Sequence, residues 1–577
     1  MKYESKVKKL LFLIENKYKI YIFIFIFLLF FASFLQIVGI NSLLPTVASF
    51  FDNKYKIENE YFNVVSNYIS SLTGASIFLS LLTLTVIIII FSNVVFILVI
   101  YFTSKLAYFL EREIKLKISK NLINLSFENL IKFEKEKTIS MYTLETQRFA
   151  ILINSYADIA SRIILIFFLI IYLIIFFPKV LLILFFLSLF YFIIFKIIRK
   201  KITDNANKLS KINENTINII YQLFNGFREL KIFNLENIFV KKFYIDAVNL
   251  NKIRFFNSFF SSSPRYFLEI IIFIFILIII PILNFDENTQ VTLGKSAVLF
   301  FIFFKLLPLI QGLFAQIIAT QANINSIDIL YNFMTQHRFK DDLKSMDENV
   351  QFNKKKFVKL NYNNLEYKIN DKQILKKLNL EILKGDIVGL VGESGIGKTI
   401  LLDVLLGFRK PKKGEILLNN NKLESLELLK FFKNNGSIVS QTGSAFNDTV
   451  LYNIILENKL IEKRLDKILD ICLLEKLYDV NGEINEFYKR NISKLSGGQI
   501  QRVLMARSIY KGSEFLVIDE GLNQLDIENE VKLFKNLSNL GITILMVYHR
   551  ITKIEHFNKI YKLENGKLEK INVNKNQ

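Results

Sequence analysis

The sharpest chemistry in the chain lies in eight consecutive residues, Gly392-Glu-Ser-Gly-Ile-Gly-Lys-Thr399, which fit the pattern G-x-x-x-x-G-K-[ST]. Gly392, Gly395 and Gly397, with Ser394 among them, let backbone N–H groups close around phosphate oxygens at a helix start. Lys398 supplies charge to the β- and γ-phosphates, and the Thr399 hydroxyl is a Mg²⁺ ligand. A structural turn would not need Lys-Thr there. Downstream, Glu514-Phe-Leu-Val-Ile-Asp519-Glu520 reads as a buried strand ending in two carboxylates. Asp519 suits Mg²⁺ held through water, and Glu520 suits orienting or deprotonating the attacking water. Between these lies Leu495-Ser-Gly-Gly-Gln499, in which Ser496, Gly497 and Gly498 form a second anion-binding nest at a helix start. A strand ending in acids, or a glycine-containing cap, is common by itself. The order of all three is not.

These groups need elements to hold them. Ile387-Val-Gly-Leu-Val391 is strand-like and Ile400–Leu406 helical, so the glycine loop sits between strand and helix, as phosphate binding requires. The three motifs together resemble the ABC ATPase family, whose signature is LSGGQ. The resemblance implies more. Tyr367 would stack on adenine. Gln441, after Ile438-Val-Ser440, would sense Mg²⁺ and contact the membrane domain. Asp526 matches the D-loop aspartate, and His549, one of three histidines, matches the switch histidine at the γ-phosphate. The chain departs from the family at Asn523-Gln-Leu-Asp526, where exporters usually have Ser-Ala-Leu-Asp. The segment Glu486–Lys494 also lacks the usual Gly-Glu-Arg-Gly. Both departures bear on coupling rather than on the hydrolytic groups. In the family, one subunit's signature, Ser496 to Gln499 here, closes over ATP on the other's glycine loop. The resemblance therefore implies a second half-transporter, most simply an identical copy.

The first part of the chain is different in kind. A helix needs about 20 apolar residues to cross a bilayer, and six stretches qualify: about 20–43, 77–108, 150–177, 179–198, 257–283 and 292–318. The first is too long for a signal-peptide core and lacks a clear small-residue cleavage site, so we expect a retained span. Lys2, Lys6, Lys8, Lys9, Lys17 and Lys19 mark the N-terminal tail as cytoplasmic. The basic segments 109–149 and 199–256 lie on the same side, and the acidic-to-neutral Asn284–Thr292 connection lies outside. We expect those two long segments to be helical extensions ending in short docking helices, around Leu144–Phe149 and Tyr221–Arg228. From Ile57 to Leu72 an amphipathic pattern reads equally as a surface-lying helix or as a cap on the bundle.

Bulk composition excludes other classes. A net charge of +22 invites nucleic acid, but Lys is scattered without a basic stripe or recognition motif, so no nucleic-acid partner is expected. The single cysteine, Cys472, allows no intrachain disulfide and no cysteine-rich metal site. The reading is an all-α six-helix transmembrane domain plus an α/β P-loop ABC nucleotide-binding domain. Its expected boundaries are 1–320, a linker 321–354, and 355–577. ATP and Mg²⁺ are the expected cofactors, and the setting is multi-pass in the inner (cytoplasmic) membrane with the ATPase in the cytoplasm.

The domain order resembles ABC exporters and, among them, the lipid-linked oligosaccharide flippases of bacterial protein N-glycosylation. The stretches that carry this are Ala32–Gln36 through Leu44-Pro45, Phe50–Lys54, Ser263–Glu269 and Gly392–Gly395. The resemblance implies a substrate set of Lys105, Arg265 and Lys305 facing a pyrophosphate, with Lys at two places where the family tends to have Arg. A mid-membrane charge costs at least about 2.5 kcal/mol, so it faces a polar cavity or partner. Snorkelling to the interface competes with that reading for Lys105 and Arg265. The expected function is ATP-driven movement of a lipid-linked oligosaccharide or similar anionic glycolipid to the outer leaflet. General lipid, drug or peptide export is the alternative, and a nucleotide-gated membrane regulator that does not transport is a further one.

Overall fold

The computed structural model describes residues 6–14, 16–43, 76–131, 133–178, 207–263, 289–336, 357–369, 372–440, 444–456, 459–479, 481–520, 526–548 and 557–571, with a few isolated positions. They fall into two compact units. One is Met1–Leu125 with Lys132–Asp342; the other is Leu343–Gln577 together with Ser126–Ile131.

The first unit is helical: α1 (Lys6–Leu13), α2 (Asn16–Asn41), α3 (Ile77–Ile123), α5 (Lys135–Ser140), α6 (Thr146–Phe176), α7 (Phe227–Ile232), α8 (Glu236–Ser262), α9 (Thr289–Asn323) and α10 (Asn325–Gln336). The short helix α4 (Phe127–Ile131) belongs to the other unit. Among the described residues, four helical stretches are long and apolar enough to cross a membrane: Asn16–Asn41, Phe78–Ile123, Lys135–Phe176 and Val298–Thr335. They cover four of the six expected spans. The 179–198 span, and 257–283 beyond α8, lie almost wholly outside the described residues, as does the amphipathic Ile57–Leu72 segment. These helices carry apolar residues all round, so the outward faces keep large side chains such as Phe23 and Ile97 exposed, as lipid-facing surfaces do. The inward faces of α6 and α9 meet through Leu165, Leu169 and Leu173 against Val298, Ile302 and Leu306. Part of the expected linker is helix, because α10 carries a strongly one-sided apolar face that packs Ile327, Leu330 and Phe333 with Ile114, Ile118 and Phe149.

The second unit is α/β. An antiparallel sheet runs β2-β1-β4-β5, from β1 (Lys359–Ile369), β2 (Lys372–Leu383), β4 (Lys413–Leu418) and β5 (Asn421–Leu423). The main sheet runs β10-β9-β3-β8-β7-β6, from β3 (Ile387–Val391), β6 (Gly436–Val439), β7 (Phe515–Asp519), β8 (Thr543–Val547), β9 (Lys559–Glu564) and β10 (Lys567–Ile571). It is parallel except at β10. Strands β7 and β8 are buried along their full length, which accounts for their unbroken Phe/Leu/Val/Ile runs where an exposed face would alternate. Helix α11 (Lys398–Leu405) packs between the two sheets, and Leu401, Val404 and Leu405 join Leu380, Val388 and Val517 there. Helices α12 (Ser425–Asn435), α13 (Val450–Ile455), α14 (Glu462–Ile471), α15 (Glu486–Lys489), α16 (Gly497–Tyr510) and α17 (Ile527–Ser538) complete the unit.

Candidate nucleotide site

Strand β3 ends at Val391 and the chain turns through the glycine loop into α11. A Cβ at Gly392 would lie 2.9 Å from the Leu563 carbonyl oxygen, so only glycine allows this approach. Gly395 and Gly397 take φ of 79° and 108°, a left-handed region that costs other residues about 1 kcal/mol or more. Gly395 has open space where a side chain would be. That leaves the loop's backbone accessible to a ligand, and Ser394 lies in the same turn.

Lys398 opens α11 and folds back over the loop, donating to the carbonyl oxygens of Gly392 at 2.8 Å and Glu393 at 3.0 Å. It is buried. Burial lowers its pKa below the ordinary lysine value, while the carboxylates of Glu520 and then Asp519 oppose that shift. The lysine and both carboxylates, 121 residues or more apart in the chain, therefore act on one another electrostatically. The sheet order explains this: β8 lies between β3 and β7, and Asp519 pairs in register with Val547. Asp519 is 7% exposed at the end of β7. Glu520 follows at φ 53°, a left-handed backbone whose strain is a feature of functional sites.

An accessible loop, a buried ammonium and two carboxylates across the sheet fit a Mg²⁺-bound triphosphate. The loop and Lys398 would hold phosphate oxygens, and Thr399 and Asp519 the metal. Gln441 and His549, expected to complete the set, lie outside the described residues.

The signature caps α16. Ser496 accepts a hydrogen bond from the Gln499 N–H at 3.3 Å, and the Gln499 side-chain oxygen accepts from the Ser496 N–H at 3.0 Å. This reciprocal box is the local reason the helix starts there. Ser496 and Gly497 stand exposed, with Gly498 next along the helix. Asp526 caps α17, and its carboxylate accepts from the Asn529 amide at 2.7 Å.

Tyr367 departs from expectation. It is 7% exposed and belongs to the core cluster between the sheets. Its hydroxyl donates to Glu128 Oε1 at 3.2 Å and accepts from Arg409 Nη1 at 3.3 Å. Arg409 Nε in turn pairs with Asp403 of α11 at 2.8 Å. An irregularity in β1 between Tyr362 and Leu365 resets the pleat, so that Leu365 and Tyr367 face the core along with Tyr362. Sequence reasoning missed Glu128 and Arg409 altogether.

The docking helix was also misplaced. Leu144–Phe149 is interior to the helical unit: Glu145, Thr146, Arg148 and Phe149 are buried, and Arg148 pairs with Glu145 at 2.9 Å across a π-helical turn, Met141–Glu145. The segment that packs with the ATPase residues is α4. Its Phe127 ring lies 5.4 Å from Phe408, and Glu128 also accepts from the Lys410 N–H at 3.3 Å. The signal available in the sequence is Ser126, whose carbonyl begins the turn by accepting from the N–H groups of Asn129 and Leu130. The second expected site, Tyr221–Arg228, contains a break at Gly226 before α7.

In the membrane unit, Lys305 lines a cavity of about 560 Å³. Lys105 does not; it is exposed on α3, its amine 5.5 Å from the Tyr101 ring. Arg265 lies outside the described residues.

Residues 375–523 match the family model "ABC transporter". The chain is 26% identical over 392 residues to an ATP-dependent lipid A-core flippase of Francisella novicida, covering 65% of this chain and 64% of that protein. It is 31% identical over 206 residues to the alpha-hemolysin translocation ATP-binding protein HlyB of Escherichia coli O157:H7, covering 35% and 29%. The matched part is thus under two thirds of either relative's length. Among solved structures, a bacterial Atm1-family ABC exporter with ATP bound matches with a TM-score of 0.68 at 17% identity, covering 93% of each chain. Residues 375–523 form an ABC transporter ATPase domain, carried on a chain that has the fold of an ABC exporter.

Proposed function

We propose that this chain is half of an ATP-driven exporter that moves an anionic lipid from the cytoplasmic to the outer leaflet of the inner membrane, working as a homodimer. Within that reading the finer substrate is a lipid-linked oligosaccharide or a similar anionic glycolipid. The observation that carries the engine is Lys398 seated in the glycine loop within the field of Asp519 and Glu520. The observation that favours an anionic cargo is the ammonium of Lys305 on a membrane cavity. The flippase relatives act on lipid A-core by their names, which supports a lipid substrate without specifying this one.

MgATP supplies an electrophilic γ-phosphorus and a metal that neutralises developing charge. Lys398 and the loop amides hold the phosphate oxygens, and Thr399 and Asp519 hold the metal. Glu520 accepts a proton from the incoming water, with Gln441 and His549 assigned to metal sensing and the γ-phosphate. Ser496, Gly497, Gly498 and Gln499 face the partner's nucleotide, with Asp526 at the same junction. The exposed Ser496 and Gly497 are consistent with a face awaiting a second copy. Motion leaves the site through α11: Asp403, Arg409, Tyr367 and Glu128 form an unbroken polar chain from the phosphate-loop helix to α4. A change in α11 on nucleotide closure is thereby transmitted to the segment that follows α3.

The test is transfer of a labelled polyprenyl-pyrophosphate glycan across proteoliposomes of the purified chain with MgATP. Transfer by wild type and its loss in Glu520→Gln supports the reading. ATP-dependent export of a peptide or drug with no lipid transfer would move it to the general exporter class. Nucleotide binding without hydrolysis would favour a regulator.

A further inference from the structure

The cavity on which Lys305 opens carries a second cation that the sequence did not single out. Arg162 of α6 reaches across to α9, where its Nη1 donates to the Pro308 carbonyl oxygen at 3.2 Å and its Nη2 lies 3.3 Å from Asp158 Oδ2. The guanidinium lies against Gly312, where a built Cβ would overlap it, so this glycine makes room for Arg162 beside the Pro308 carbonyl.

The arrangement is unsaturated. Charge-assisted N–H···O contacts usually close to about 2.7–2.9 Å, and both contacts of Arg162 are longer. Its Nε is buried without a partner among the described residues. The Arg162 and Asp158 side chains remain 26% and 34% exposed, on the cavity they line. Asp158 and Arg162 are four residues apart on α6, so only the Pro308 carbonyl ties the guanidinium to α9. Two cations against one carboxylate leave the described lining one positive charge in excess. Beside them, Gln36 is 4% exposed and bonded at one end of its carboxamide to Asn93, and among the described residues its oxygen and the buried Asn154 oxygen have no partner. Both line the same cavity.

We infer that Arg162 is the anion-reading residue of this cavity, held in the substrate-free chain by Asp158 and the Pro308 carbonyl, and released to a phosphate-bearing lipid headgroup that displaces the carboxylate. The planar fork of Arg162 takes two phosphate oxygens, which a lysine cannot do, and Lys305 supplies the second charge. This rests on the lipid-export reading for its ligand class, but it concerns binding alone and can be tested apart from hydrolysis.

The experiment measures equilibrium binding of three probes to the purified full-length chain in phosphatidylcholine nanodiscs, without nucleotide. The probes are a polyprenyl pyrophosphate, the matching polyprenol, and phosphatidylglycerol. The pyrophosphate should bind and the polyprenol should not. Arg162→Ala should weaken binding about tenfold or more, Arg162→Lys by less, and Asp158→Asn should tighten it about threefold. The opposite sign for Asp158→Asn guards against misreading a folding defect. Arg162-dependent binding of phosphatidylglycerol in place of the pyrophosphate would support Arg162 while refuting the glycolipid. Pyrophosphate binding within twofold of wild type in Arg162→Ala would overturn the inference and leave lipid export standing. Binding of none of the three would overturn it as well.

Discussion

The nucleotide loop and the membrane cavity both gather charge away from bulk water, and they do it by different means. At the loop, the backbone itself is specialised. Gly392 makes room for the Leu563 carbonyl, and Gly395 and Gly397 take backbone angles that other residues avoid. Lys398 then has a single place to go. In the cavity the backbone is ordinary helix, and the specialisation lies between helices, where a guanidinium from α6 lies against Gly312 of α9. A local device leaves its pattern in consecutive residues, whereas a device built across two helices scatters it over 150 positions or more from Arg162 to Gly312. The first kind of site can be read from sequence and the second has to be seen folded.

That contrast can be broken at several points. Replacing Lys398 with alanine, or Glu520 with glutamine, should lower steady-state ATP hydrolysis by about 10²-fold or more, since each removes a group acting at the reacting phosphate. Phosphate release from the purified chain measures it, and turnover within tenfold of wild type would remove these residues from the site. Gly397→Ala should cost about 1–3 kcal/mol in the ATPase domain from its φ of 108° and the 3.1 Å approach of Ile374. Thermal unfolding reads this, and a neutral result would mean the loop relaxes freely.

Tyr367 sharpens the comparison from the other side. Tyr367→Phe deletes a hydroxyl bonded to Glu128 and Arg409, so stability should fall by about 1 kcal/mol with ATP affinity unchanged. Tyr367→Leu should also leave nucleotide affinity intact while weakening the link to α4. A drop in ATP affinity for the leucine variant alone would restore the adenine-stacking role. Ser496→Ala removes the helix cap and should cost about 1 kcal/mol, detectable as a lowered Tm. The smallest effect concerns Cys472. Burial raises its thiol above the ordinary range, so alkylation at pH 8 should be slow in the native chain and fast in denaturant. Rapid native labelling would place that residue nearer the surface.

Legibility follows the same division. The glycine loop, the Asp519-Glu520 strand end and the signature were readable because each is contiguous and sits in the strand–loop–helix setting the chemistry demands. The apolar spans at 20–43, 77–108, 150–177 and 292–318 were readable because a bilayer fixes their length. Tyr367 was misread because an aromatic upstream of the loop says nothing about which face of β1 it occupies, and the pleat turned it inward. The docking segment was misplaced: Leu144–Phe149 is mostly polar, and its Glu145, Thr146 and Arg148 are nevertheless buried inside the helical unit, where Arg148 pairs with Glu145. The contact with ATPase-unit residues comes from the shorter α4. Lys305 was found by type, but Lys105, chosen on the same grounds, faces away from the cavity because its turn of α3 presents Thr103 and Ser104 there instead.

The central claim is that hydrolysis at Lys398 and Glu520 is coupled to lipid movement, and one assay addresses it directly. Proteoliposomes containing the purified chain would be given MgATP, and both phosphate release and the appearance of a labelled phosphate-bearing lipid on the opposite leaflet would be followed over time. The two signals should rise together in wild type and vanish together in Glu520→Gln. Lipid crossing at the same rate in that variant, or without nucleotide, would contradict the account.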